Sequence, residues 1–222
     1  MVRWKTSFPW KTVALILLVP SMLLNVYLFF RTSTQPIFSV PVVGVIDGDT
    51  IVVSNKERVR LRQIDAPELG SCGGEEAKRE LEKLVTGKSV RLAEQIPDQQ
   101  GRGMALVYEG RTLVNEKMLE SGWVTYHHDV STREEDLKKA TALAKEEKRG
   151  IYGKCWSTEN TEKPKCIVKA NIDDKGVKTY FVPGCAQYRF TVIEKNRGEA
   201  YFCTEKEAVK AGYVKAGTCA GK

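Results

Sequence analysis

Five short runs rich in β-branched residues, with one helix-period segment set among them, limit this chain more than any other feature. The runs are Val42–Ile46, Thr50–Ser54, Arg58–Ile64, Ser89–Ala93 and Met104–Tyr108. Between the third and fourth, Gly74–Thr86 switches to period 3.6, with Ala77, Leu81, Leu84 and Val85 on one face and Gly87 as its stop. Strands this short, with a helix inserted among them and helices at the end, predict a small closed barrel and not a parallel sheet. The later helices are Leu113–Glu120, ending at Gly122, and one opened by a Ser131/Glu134 capping box. That last helix carries Leu137, Ala140, Thr141 and Ala144 inward and stops at Gly150.

The element order fits a barrel of the oligonucleotide-binding (OB) type, an α+β fold with three helices. It fills residues 41–156. Residues 157–165 read as a polar linker with Pro164, and residues 166–222 as a second module too short for a large core. Four cysteines in that module, with strand-like Val177–Val182 and a helix capped by Thr204 and Glu207, predict a small cross-linked α+β unit. Six cysteines in the whole chain fit an oxidising compartment, and no Cys-x-x-Cys pair is present. Their pairing stays open from sequence, since six cysteines allow 15 connectivities.

Residues 1–40 hold a different kind of segment. Val13–Phe30 is apolar apart from Pro20, Ser21 and Asn25, and as a helix would come close to the ~30 Å of a bilayer core. Arg3, Lys5 and Lys11 precede it and Arg31 follows, which orients the N-terminus inward and the rest of the chain outward. An uncleaved transmembrane anchor is expected; the alternative is a cleaved signal segment, although no small-x-small site follows. The formal charge of +7 does not by itself indicate a polyanion binder. The excess lies at the two ends, whereas residues 41–155 hold 19 basic against 20 acidic groups.

The chemistry-bearing residues lie on three stretches. Val45-Ile46-Asp47-Gly48-Asp49-Thr50 reads as a turn at Asp47-Gly48, but leaves Asp49 where a return strand disfavours it. In Arg58-Val59-Arg60-Leu61-Arg62-Gln63-Ile64-Asp65-Ala66-Pro67-Glu68, alternation puts Arg60 and Arg62 on one strand face, and Pro67 holds Ala66 extended. Asp98-Gln99-Gln100-Gly101-Arg102-Gly103 sets an arginine between two glycines before a strand. Taken singly, Asp49 is a turn residue, Glu68 a loop charge and each arginine a solvated face. Together, hard oxygen ligands from Asp49, Asp65 and the Ala66 carbonyl, with arginine forks, form a set suited to phosphodiester hydrolysis.

These stretches, with Gly74-Glu75-Glu76-Ala77, Val114-Asn115-Glu116 and Gly150-Ile151-Tyr152-Gly153, resemble the staphylococcal nuclease-like (thermonuclease) family over about Val42–Trp156. The resemblance implies an OB-fold nuclease acting on DNA and RNA with Ca²⁺ held by Asp49, Asp65 and the Ala66 carbonyl. It further implies phosphate contacts by Arg60 and Arg102, with Glu68 in the general-base position. Arg62 then reverts to a solvated strand face. Gln100 and His128 stand where the family places aromatic nucleotide contacts. His127 and His128, adjacent on a strand, would face opposite ways and are left out of catalysis. The module around Tyr180–Cys185 and Tyr201–Glu207 is distantly similar to Ada-type metal-binding modules; Phe181 stands where His is common, so disulfides are expected there in place of zinc. The expected activity is that of an extracytoplasmic endonuclease. Its rivals are a catalytically idle barrel binding nucleic acid or a protein and, more weakly, a Cys-His peptidase.

Overall fold

The computed structural model describes residues 19–27, 38–98 and 101–219. The chain divides into two compact units, Met1–Phe38 and Ser39–Lys222. In the first, residues 19–27 are helical and exposed. Most of the expected membrane helix, and Gln100, lie outside the described residues. Among the described residues no helix is long and apolar enough to cross a membrane.

The second unit begins with β1 (Val40–Val45), β2 (Thr50–Val53), β3 (Arg58–Leu61) and β4 (Ile64–Asp65), followed by α1 (Gly74–Val85). Strands β5 (Ser89–Pro97), β6 (Gly103–Glu109) and β7 (Thr112–Leu113) lead into α2 (Val114–Ser121). Short β8 (Thr125–Tyr126), α3 (Glu134–Glu146), α4 (Ile151–Lys154) and β9 (Trp156–Ser157) complete this part. Pairings β1–β2, β2–β3, β5–β6 and β1–β5 are antiparallel, and a parallel β3–β6 pairing closes the five strands into a ring. Closure removes the free edges that an open sheet of this length would expose.

The barrel core forms where strand alternation and helix period agree. In β3, Val59 and Leu61 are buried while Arg58 is exposed and Arg60 half-buried, so alternation alone turns Arg60 outward. Helix α1 buries Ala77, Leu81 and Val85, and α3 buries Leu137, Ala140, Thr141 and Ala144, as their spacing predicts. Asn115 of α2, fully buried, ties three neighbours together. Its side-chain oxygen accepts the Val107 N–H at 2.9 Å, and its amide donates to the Arg62 and Ala105 carbonyls at 2.7 and 3.3 Å.

Several local expectations change. Strand β3 ends at Leu61, because Gln63 adopts a left-handed backbone with φ of 63°. The alternation therefore breaks before Arg62, which is neither beside Arg60 nor solvated. Arg62 is buried, donating from Nε to Asp129 and from its terminal nitrogens to the Glu94 and Val130 carbonyls. The capping box before α3 does not form: Ser131 Oγ donates to the Gln63 side chain and accepts the Arg133 N–H, and Arg133 occupies the cap position. Helix α3 also stops short of Gly150, at Glu146, and Lys148 follows with a φ of 52°.

Beyond β9 lie β10 (Val168–Ile172), β11 (Lys178–Phe181), β12 (Ile193–Glu194), β13 (Ala200–Phe202), α5 (Glu205–Lys210) and β14 (Val214–Lys215). A four-stranded sheet in the order β13-β10-β11-β14 packs Val168, Ala170 and Tyr180 against Ala208 and Tyr213. That core is small, and two disulfides, Cys166–Cys203 and Cys185–Cys219, close the loops around it. Ser157 is not part of a free linker: with Trp156 it forms β9, which pairs with β12, and Tyr201 Oη donates to its carbonyl at 2.9 Å. The third disulfide, Cys72–Cys155, joins the loop before α1 to the residue after α4.

Candidate active site

The bend between β1 and β2 carries Asp49, and its glycine meets a steric need more than a conformational one. Gly48 has an ordinary φ, but a Cβ there would lie 2.5 Å from the Ala77 Cβ and 2.7 Å from the Ala66 Cβ. The bend thus packs directly against α1 and the segment after β4. Asp47 Oδ1 accepts the Asp49 N–H at 3.1 Å, and β2 begins only at Thr50, so Asp49 ends the bend, with its carbonyl accepting the Leu61 N–H at 2.7 Å. That placement resolves why an acid sits between two β-branched runs.

Asp49 is 2% exposed, and its carboxylate is fully engaged. Oδ1 accepts from Arg60 Nη1 at 2.7 Å and from Thr50 Oγ1 at 3.0 Å; Oδ2 accepts the Ala66 N–H at 2.8 Å. Burial pushes its pKa up to about 6, against the opposing pull of the Arg60 guanidinium and the Ala66 N–H. Arg60 spans to the second acid, with Nη2 donating to Asp65 Oδ1 at 2.5 Å. One guanidinium therefore touches both carboxylates expected to hold a metal, and the two acids face a common point. Asp49 is buried and Asp65 exposed, and the Arg60 guanidinium bridges them.

Arg102 arrives from the turn before β6, held by Asp98. Asp98 accepts the Arg102 backbone N–H on Oδ1 at 2.7 Å and Nε on Oδ2 at 2.5 Å. Arg60, Asp65, Glu68 and Arg102 all line one concavity of about 710 Å³, with Asp47 and Asp98. Both His127 and His128 line it too, because β8 ends at Tyr126 and the strand geometry that would separate them is lost.

The loop bearing Glu68 is built tightly. Glu68 O accepts the Ser71 N–H at 2.9 Å, Ser71 O accepts the Gly74 N–H at 3.1 Å, and a Cβ on Gly74 would lie 2.2 Å from Glu68 O. Four residues beyond Glu68, Cys72 is bonded to the buried Cys155.

Among the described residues no group of three or more His, Cys, Asp or Glu side chains is arranged to hold a metal ion. Two converging carboxylates fit a hard cation that takes its remaining ligands from carbonyl and water oxygens. Three contributors escaped the sequence reading: Asp98 as the holder of Arg102, the Arg62–Asp129 latch beneath the His127–His128 segment, and the disulfide behind Glu68. An acid four residues before an arginine across a glycine turn could have signalled the first. The other two join residues 67 and 83 positions apart and carry no local signature.

Residues 58–156 match the family model described as staphylococcal nuclease homologue. A micrococcal nuclease of Shigella flexneri is 31% identical over 136 residues, covering 55% of this chain and 76% of that protein. An "uncharacterized endonuclease" of Haemophilus influenzae is 38% identical over 96 residues, 40% of this chain and 54% of its own. A staphylococcal-like nuclease of Arabidopsis thaliana is 33% identical over 113 residues, 51% of this chain and 33% of its own. The chain spans about a third of the length of the plant relatives it matches. A closed OB-type barrel, the family-model match over residues 58–156 and a micrococcal nuclease relative matched over 76% of its length place the chain in the staphylococcal nuclease family.

Proposed function

We propose that this protein is a Ca²⁺-dependent endonuclease that hydrolyses phosphodiester bonds of DNA and RNA outside the cytoplasm. The observation that carries the reading is the convergence of Arg60, Arg102 and Glu68 on one concavity. Two guanidinium forks can each donate paired hydrogen bonds to phosphate oxygens, and they stabilise charge that grows there in the transition state. Asp98 fixes one fork; Asp49 and Asp65 fix the other. Glu68 would accept the proton of the attacking water at its carboxylate, a role worth about 10²–10⁴-fold in rate. Asp49, Asp65 and the Ala66 carbonyl would hold Ca²⁺, which when bound supplies positive charge beside the scissile phosphate.

The extracytoplasmic setting is supported by the pairing of all six cysteines, since disulfides persist in oxidising compartments. In this reading Val13–Phe30 serves as the membrane anchor. The test is cleavage of single-stranded DNA and of RNA with Ca²⁺ or with a chelator, using wild type, Arg60→Lys and Glu68→Gln. Both variants should lose at least a hundredfold in kcat while unfolding at the wild-type temperature. Cleavage that ignores the chelator removes the metal, and normal cutting by both variants removes the site.

A further inference from the structure

A second concavity, of about 620 Å³, opens on the far side of Asp65, and it shares Asp65 and His127 with the one that holds the arginines. One wall belongs to the barrel and its last helices, through Tyr126, Lys145 and Trp156. The other belongs to the C-terminal module, through Glu194, Asn196 and Arg197. The two walls are fixed to each other. Strand β9 pairs with β12, the Lys195 N–H donates to the Cys155 carbonyl at 3.0 Å, and Trp156 Nε1 donates to Asn196 Oδ1 at 2.9 Å. Trp156 also stands edge-on to Tyr152 at 4.7 Å, so its ring is braced and not free to swing.

We propose that this cleft binds the next nucleoside along a single-stranded nucleic acid, one step beyond the two joined by the scissile phosphate, which makes the C-terminal module part of the substrate track. The inference rests on the nuclease reading and adds a subsite to it. Position is the first argument. A strand whose phosphate lies between Arg60 and Arg102 must continue past the rim of that concavity, and at Asp65 the rim is the wall of the second cleft.

Size and chemistry agree. The volume falls within the roughly 300–1,000 Å³ of small-ligand sites, enough for one nucleoside. Tyr126 and Trp156 line the cleft, aromatic side chains of the kind on which unpaired bases stack, with the Lys145 ammonium 5.7 Å from the Trp156 ring centre. The charge pattern selects which part of the nucleotide enters. Lys145 and Arg197 are offset by Asp65, Asp174 and Glu194, so the cleft has no net attraction for a phosphate. Its mixed donors and acceptors suit the edges of a base and the hydroxyls of a sugar, while the phosphates stay on the arginine side. A base can reach this pocket only out of its stack, which favours single strands over duplex.

The test uses the full chain and a dinucleotide extended by one nucleotide on either the 5′ or the 3′ side. Extension on one side should raise kcat/KM by about tenfold, the order of one stacked base, and extension on the other side should not. Arg197→Glu and Lys145→Ala, both away from the catalytic residues, should remove that gain and leave dinucleotide cleavage unchanged. In parallel, a 4-thiothymidine at the favoured flanking position, bound to the Glu68→Gln variant and irradiated, should crosslink to peptides containing Trp156 or residues 193–197. Equal gain in wild type and Arg197→Glu, or crosslinks confined to the barrel strands, overturns the proposal. If wild type cuts nothing, the nuclease reading fails, and the crosslink sites then decide the cleft alone.

Discussion

Removing the bond between Cys72 and Cys155 tests how the fold holds the loop that carries Glu68, the proposed general base. The two cysteines are 83 positions apart. The chain-entropy relation for a loop of that length predicts a loss of about 4.5 kcal/mol at 25 °C. The module bonds, Cys166–Cys203 and Cys185–Cys219, span 37 and 34 positions, for which the same relation predicts about 3.8 kcal/mol each. The difference in loss is small, but the difference in place is large. Cys72 lies four residues after Glu68, in a loop closed by the Ser71 and Gly74 hydrogen bonds, and Cys155 is buried behind it. A Cys72→Ser/Cys155→Ala variant should therefore lose stability and also let Glu68 move. Urea unfolding followed by tryptophan fluorescence reads the first effect, and steady-state cleavage at 20 °C reads the second. The variant should show a kcat reduced at least tenfold with KM nearly unchanged; Cys185→Ser/Cys219→Ser should show the stability loss with normal kcat. A loss below about 1 kcal/mol in the first variant would refute the entropy argument. Equal kcat in both variants would refute the link to Glu68.

Three further perturbations follow from the geometry. Gly48→Ala places a methyl against Ala77 and Ala66, which should cost about 1–3 kcal/mol in thermal unfolding and displace Asp49, lowering activity as well; wild-type melting and turnover would contradict this. Asn115→Ala leaves the Val107 N–H and the Arg62 carbonyl unpaired in the core, about 1–3 kcal/mol for each, so denaturant midpoints should fall far more than for a surface asparagine. Glu194 has its pKa raised by burial and by the nearby Glu199 carboxylate. The folded state thus holds its proton to higher pH than the unfolded state, and the stability this gives is lost as pH rises through the raised pKa. Glu194→Gln should melt with wild type below about pH 4, where both side chains are neutral, and above it at pH 8; the opposite order would show that burial does not control this group.

Much of the barrel was legible because its signals are local. The alternation of Val59 and Leu61 against Arg58 and Arg60, and the helical spacing of Ala77, Leu81 and Val85, are set by periods that neighbouring residues share. Arg62 shows where that logic stops. Alternation predicts it beside Arg60, but a left-handed Gln63 turns the chain, and the arginine's partners come from Glu94, Asp129 and Val130. The capping box at Ser131 failed for the same reason, since a distant glutamine competes for the hydroxyl. Gly48 was read as part of a turn, whereas the structure needs a glycine there because a Cβ would meet Ala77 of α1 and Ala66.

Sequence alone picked out side chains that the fold gathers, Arg60, Asp65, Glu68 and Arg102 on one concavity, and these are the residues of the proposed site. It also determined that a short cysteine-rich segment would need cross-links, because composition limits how much apolar surface it can bury. Only the tertiary structure decided that one guanidinium joins Asp49 to Asp65, that Cys72 pairs with Cys155, and that the C-terminal module walls a cleft beside Asp65. Local preferences act over a few residues, whereas these contacts depend on closure of the ring and on the docking of β12 against β9, which no short stretch of the chain encodes.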